Sequence, residues 1–262
     1  FITYFDSKTK EVLSYEGREK APHNLKDEVF LDNEGNPKKF FDAAIGGAAV
    51  GVPGTLKTLY KIHKDYGSLK WDEIIKPVIK LSTNGFIPPN RLINALKKEK
   101  FLFKVYPDSI FRKISENPKE NFLNDEYTKT LKKIARNPND FYTNEIAHNI
   151  IETVRNSKNP GLITLKDLKD YETTKNKALC YRLDNGFKIC GPNLPSSGTI
   201  CSIQALILFE NLFNKSQIDL NEILSILNFI YYLRDLELAD DEFVYINKSY
   251  LFNKKKLFDN YR

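Results

Sequence analysis

Arg18 is the residue whose type and place best suit binding chemistry. It stands in Tyr15-Glu16-Gly17-Arg18-Glu19-Lys20-Ala21-Pro22, where an N-terminal run of strand-type residues breaks off. A guanidinium presents a planar fork of donors that matches a carboxylate, so an arginine at a strand end suits a clamp for an acidic substrate. By residue type alone, a solvated surface arginine is the strongly favoured reading of this position. Arg18 is the candidate substrate-binding residue of this sequence.

The other reactive residue types read as scaffold. His23, His63 and His148 are the only histidines, and none forms an i, i+4 metal-binding pair. His63 and His148 fall beside core positions of predicted helices and are read as structural. No serine sits in a Gly-x-Ser-x-Gly elbow. Ser196 and Ser197, between Pro195 and Gly198, could offer hydroxyls or backbone N–H groups to an anion; they are read as a turn and helix N-cap. The run from Gly46 to Gly54 lacks the Gly-Lys-Ser/Thr ending of a phosphate loop. Asp240, Asp241 and Glu242 read as a solvated helix end rather than a cation site. Cys180, Cys190 and Cys201 follow no metal-ligand spacing and are read as small buried hydrophobes, with a Cys180–Cys190 disulfide as the lesser alternative. We therefore expect no catalytic residue, metal or cofactor on this chain.

These residues need elements to position them. Residues 1–6 and 11–15 predict an opening hairpin. Segments 53–67, 71–84, 91–103, 126–135 and 144–154 carry apolar residues at helical spacing, with Pro77 as a kink. Thr164-Leu165-Lys166-Asp167 predicts a variant capping box opening a short helix. Segments 175–183 and 187–190, joined by Asp184-Asn185-Gly186, predict a second hairpin. Helices over 200–213 and 220–238 follow. Strands at both ends of a helical middle give an α/β or α+β layered domain, read as one domain over 1–262.

Composition narrows the function classes. With 41% hydrophobic, 28% charged and 13% aromatic residues, the 262-residue chain is globular rather than disordered or fibrous. The net charge of +6 arises from 40 basic and 34 acidic residues spread along the chain, which argues against nucleic acid as a partner. Lys254-Lys255-Lys256 is read as a solvated face. No apolar stretch reaches the ~18 to 20 residues of a membrane helix. The sequence holds no methionine, so a fragment or processed piece is expected.

Several motifs, taken in order, carry a resemblance. They are Glu16-Gly17-Arg18-Glu19-Lys20-Ala21-Pro22, Gly46-Gly47-Ala48-Ala49-Val50-Gly51-Val52-Pro53-Gly54, Tyr66-Gly67-Ser68-Leu69, and Pro77-Val78-Ile79-Lys80-Leu81 with Gly85-Phe86. Phe141-Tyr142-Thr143-Asn144-Glu145-Ile146-Ala147, Gly161-Leu162-Ile163-Thr164 with Asp167-Leu168 and Tyr171, and Pro195-Ser196-Ser197-Gly198 follow. The ordered set, over roughly residues 1–239, resembles the large subunit of γ-glutamyltranspeptidases, which are N-terminal nucleophile hydrolases.

That resemblance implies a four-layer αββα fold shared with a small catalytic subunit cut from the same precursor. It implies a segment incomplete at both ends and inactive alone, because the family's nucleophilic threonine opens the small subunit. The implied substrates are glutathione or another γ-glutamyl compound, with water or an amino acid as acceptor, and the implied location is periplasmic or extracellular. Arg18 occupies the motif position whose arginine holds the substrate α-carboxylate. Departures are Asp240-Asp241 where the family carries Asp-Arg, no Gly-Asp-Pro turn nearby, and Asn144 in place of a glycine, where left-handed backbone is expected. They mark the C-terminal third as the degenerate part. The alternative is a truncated, non-catalytic remnant serving as a scaffold for subunit packing.

Overall fold

The structure, a computed structural model, describes residues 1–210 and 219–261. The chain divides into two compact units, Gly17–Thr173 and the joined segments Phe1–Glu16 and Thr174–Arg262.

The first unit is helical. It runs through α1 (Phe40–Ala44), α2 (Thr55–Tyr66), α3 (Trp71–Asn84), α4 (Asn90–Leu96), α5 (Lys100–Val105), α6 (Ile110–Glu116), α7 (Asp125–Arg136), α8 (Asp140–Thr143), α9 (Glu145–Arg155) and α10 (Leu165–Asp170). The apolar period of 71–84 gives α3 with the expected bounds, Pro77 included. Its pairing with α7 is pinned by the Trp71 indole N–H on the Ile134 carbonyl at 3.0 Å and by the Thr128 hydroxyl on Ser82 at 3.0 Å. The single helix expected over 91–103 is instead α4 and α5. Lys97-Lys98-Glu99-Lys100 offers no apolar side chain to bury, and the helix breaks there. A short helix not anticipated from sequence, α6, buries Ile114 against Ile93 and Leu96.

The main core of this unit gathers Val52, Tyr142, Ala147, Ile151, Val154, Ile163, Leu168 and Tyr171 from the segment before α2 and from α8 to α10. Two glycines are needed for it to close. A Cβ on Gly47 would lie 2.0 Å from the Val154 carbonyl oxygen, and one on Gly161 would lie 2.1 Å from the Gly47 oxygen. His148 is not a core histidine: it lies on the exposed face of α9. Asn144 adopts φ −114°, ψ −144°, not the left-handed backbone expected of a glycine substitute, and its amide caps Asp140 at 2.6 Å.

The second unit holds the strands. β1 (Ile2–Phe5), β2 (Val12–Glu16) and β3 (Thr174–Lys177) form an antiparallel sheet in the order β1-β2-β3, with Tyr4 opposite Leu13 and Leu13 opposite Lys177. The strand expected over 175–183 is therefore two. β3 pairs with β2, and after Ala178 the chain leaves that sheet to form β4 (Leu179–Arg182), which pairs with β5 (Lys188–Gly191). Gly186, at φ 91°, supplies the left-handed turn residue of this hairpin. Tyr181 and Ile189 face the core built from α11 (Gly198–Phe209), α12 (Leu220–Glu237) and α14 (Lys254–Tyr261), while α13 (Lys248–Leu251) adds Leu251 to a smaller cluster with Leu194 and Ile200. Residues 211–213 of the helix expected over 200–213 lie outside the described residues.

Two expectations about side chains in this unit are corrected. Cys180 and Cys190 stand directly opposite in the β4–β5 register and form a disulfide rather than two buried thiols. Lys254-Lys255-Lys256 is not simply a solvated face. Lys254 pairs with Asp184 and Glu210, and Lys256 pairs with Glu237 while its ammonium lies 3.3 Å from the Tyr250 ring centroid.

Candidate functional site

Arg18 lies two residues beyond β2, on a stretch whose backbone is fixed at several points. The Tyr171 hydroxyl donates to the Arg18 carbonyl at 2.7 Å. Lys20 and Val52 exchange backbone hydrogen bonds of 3.2 and 2.8 Å in an antiparallel bridge. Gly17 packs against α2 so closely that a Cβ there would meet the Thr58 hydroxyl at 2.0 Å, and a Cβ on Gly54 would meet the Tyr171 hydroxyl at 1.9 Å. The Gly17 and Gly54 positions of the motifs thus serve close backbone approach.

The support extends inward through a second tyrosine. Tyr142, 2% exposed, stacks on Tyr171 with ring centroids 6.3 Å apart. Its hydroxyl donates to the Pro53 carbonyl at 3.0 Å and accepts the Lys57 backbone N–H at 3.0 Å, which satisfies a donor of the first turn of α2 that lacks an intrahelical partner. Burial pushes the Tyr142 hydroxyl up to about 12, against the opposing hydrogen bond from Lys57. It remains neutral and keeps its donor role at any physiological pH.

A carboxylate anchors the far end of the Arg18 segment. Asp167, its side chain 1% exposed, accepts the His23 backbone N–H at 2.9 Å, and the His23 ring Nδ1 lies 2.5 Å from the same oxygen. Its other oxygen accepts the Thr164 backbone N–H at 2.8 Å and the Thr164 hydroxyl at 2.6 Å. Thr164 and Asp167 form the capping box of α10 read from the sequence. Burial works to raise the Asp167 carboxyl, but the hydrogen bonds from His23 and Thr164 prevail and hold it at about 2. The His23–Asp167 tie was not legible in the sequence, because 144 residues separate its partners.

Against this fixed backbone the Arg18 side chain is half exposed, at 51%. Its ion pair among the described residues is a 3.9 Å approach to the exposed Glu19 carboxylate, a contact too loose and too solvated to hold it. The guanidinium therefore projects from a rigid support with its donors available, the arrangement a carboxylate clamp requires.

The other sequence candidates do not assemble into a site. His63 rests its Nε2 on the Leu69 carbonyl at 2.8 Å and packs edge-on to Trp71. Ser197 occupies the N-cap position of α11, as read from the sequence, although its side chain makes no capping hydrogen bond, and the Ser196 N–H closes a turn onto the Asn193 carbonyl at 3.1 Å. Asp241 pairs with Lys248 at 2.6 Å, and Asp240 accepts the Glu242 N–H at 3.0 Å. Cys201 is a free thiol that burial pushes up, away from nucleophilic character.

Comparison with known proteins places this geometry. The chain is 32% identical to the glutathione hydrolase proenzyme of Bacillus subtilis strain 168 over 223 residues, 84% of this chain and 37% of that protein. It thus spans little more than a third of the curated relatives it matches. The structure superposes on the gamma-glutamyltranspeptidase of Pseudomonas nitroreducens, solved as a complex with L-DON, with a TM-score of 0.88 at 25% identity, covering 99% of this chain and 78% of that one. For the Helicobacter pylori gamma-glutamyltranspeptidase the TM-score is 0.87 at 27% identity, covering 100% and 77%. The mixed helix-and-sheet fold expected from sequence is that of these enzymes. The family model for gamma-glutamyltranspeptidase matches residues 1–260, and the chain belongs to that family.

Proposed function

We propose that this chain is the large-subunit part of a γ-glutamyl hydrolase and transferase, and that Arg18 holds the α-carboxylate of the γ-glutamyl substrate. The observation that carries the reading is the contrast at Arg18 between a backbone tied by Tyr171 and a guanidinium half open to solvent. A clamp of this kind orients the substrate before chemistry.

The nucleophile is then a threonine hydroxyl at the N-terminus of a small subunit from the same precursor, with its own amine as base. The hydroxyl attacks the γ-amide carbonyl and passes its proton to the amine, which returns it to the departing amine of the substrate. Water or an amino acid then attacks the γ-glutamyl ester and releases the threonine. On this reading the chain alone does not turn over substrate. The disulfide between Cys180 and Cys190 favours an oxidising compartment and supports a periplasmic or extracellular location.

The test combines the purified chain with the small subunit and follows release of aniline from a γ-glutamyl anilide. Arg18→Ala should lower kcat/KM by roughly 30- to 1,000-fold, the range of about 2–4 kcal/mol for losing a charge-assisted pair. Turnover unaffected by that change would exclude the clamp.

A further inference from the structure

A cleft of about 370 Å³ lies between α4 and the turns at Pro88 and Pro118. Its size falls within the ~300 to 1,000 Å³ typical of small-molecule sites. We propose that it binds a short-chain aliphatic dicarboxylate.

The walls are held in place independently of any ligand. Phe86 and Phe122 exchange backbone hydrogen bonds of 3.2 and 2.9 Å, and the Asn121 amide donates to the Asn84 carbonyl at 2.8 Å. These ties join the two turns that carry Ile87 and Lys119, and a proline stiffens each turn. On the third side, Asn90, Asn94 and Lys97 share one face of α4 by their i, i+4 and i+7 spacing, while Ile93 and Leu96 anchor the helix in the cluster with Ile114. A fixed cleft loses little conformational freedom on binding.

The lining determines the ligand. Lys97 and Lys119 contribute two ammonium groups, Asn90 and Asn94 two carboxamides, and no carboxylate lines the cleft. Among the described residues, neither lysine forms an ion pair within the protein. Two cations with neutral donors beside them select a dianion. Ile87, Ile93 and Pro118 supply apolar wall between the polar groups, which suits methylenes linking two carboxylates better than a compact inorganic anion.

The experiment titrates the full 262-residue chain with glutarate, inorganic phosphate and neutral glutaramide, reading backbone amide shifts by NMR. Expected is saturable glutarate binding with a Kd on the order of a millimolar or tighter, with shifts at Ile87, Asn90, Asn94 and Lys119. Lys97→Gln with Lys119→Gln should weaken it by roughly tenfold or more, the loss of charge-assisted bonds to two carboxylates. Both lysines are exposed, so the double variant should keep its melting temperature. Non-saturable glutarate shifts, unchanged affinity in the double variant, or phosphate or glutaramide binding as tightly as glutarate would each overturn the proposal.

Discussion

The Tyr171 hydroxyl, on a residue 3% exposed, donates to the Arg18 carbonyl at 2.7 Å, so a core side chain holds the backbone of a surface arginine. Tyr171→Phe should separate support from recognition. It leaves the Arg18 guanidinium in place but deprives the carbonyl of its donor, at a cost of about 1–2 kcal/mol in chemical unfolding of the chain. In the reconstituted enzyme it should raise KM for a γ-glutamyl anilide. Arg18→Ala, by contrast, should leave stability within about 0.5 kcal/mol, because its side chain is half exposed and loosely paired. Equal stability loss in the two variants would refute this division of roles.

Gly54 makes the same support sterically exacting. A Cβ there would lie 1.9 Å from the Tyr171 hydroxyl, 2.3 Å from its ring carbon and 2.5 Å from the Gly17 carbonyl oxygen. Gly54→Ala should cost about 1–3 kcal/mol by overpacking, despite the better helix propensity of alanine. Gly35→Ala is a control of a different kind: no heavy atom lies within 4 Å of its added Cβ, so any penalty there arises from φ 83° alone. Denaturant midpoints for the pair check the claim, and a wild-type midpoint for Gly54→Ala would contradict it.

Asp167 sets an acid limit. Its folded-state value of about 2 lies below the ordinary 3.8, so its contribution is fully present above about pH 4 and is lost as the pH falls through about 2. The side chain is buried, and the shift corresponds to roughly 2 kcal/mol. Stability measured from pH 5 to 2 should fall more steeply in the native chain than in Asp167→Asn, which should be less stable throughout that range above pH 4. Parallel curves would show that this carboxylate carries no such linkage.

The helices that were legible from sequence are those with a sustained apolar period and a chemical start signal. α3 and α10 are the clearest cases: α3 from its run of Trp71, Ile74, Ile75 and Val78, and α10 from its Thr164–Asp167 box. Residues 91–103 kept a plausible period across a charged run, and periodicity alone cannot say that the helix breaks there. Residues 175–183 looked like one strand because the pattern within a strand does not reveal which partner each half will meet. At the candidate site, Arg18 and its glycines could be picked out by motif. The tyrosine ties and the His23–Asp167 pair are contacts between distant segments, which only the folded chain displays.

The Cys180–Cys190 disulfide is only the lesser alternative from sequence for a related reason: the Asp184-Asn185-Gly186 turn predicts the hairpin, but only the β4–β5 register places the two cysteines directly opposite each other. The bond closes a short loop, with a sequence separation of 10, for which chain-entropy reasoning gives about 2–3 kcal/mol. Reduction by excess dithiol should therefore lower the unfolding free energy by that amount, and Cys180→Ser with Cys190→Ser should reproduce the loss and become insensitive to the reductant. Cys201→Ser tests the assignment of the pair, since this thiol stays free in the fold. It should leave the response to reduction intact, and a chain whose reductant sensitivity vanished with Cys201 would be bridged differently. The hairpin leads through Asn193 and Leu194 into α11, so its loosening should also show as faster proteolysis between β5 and α11.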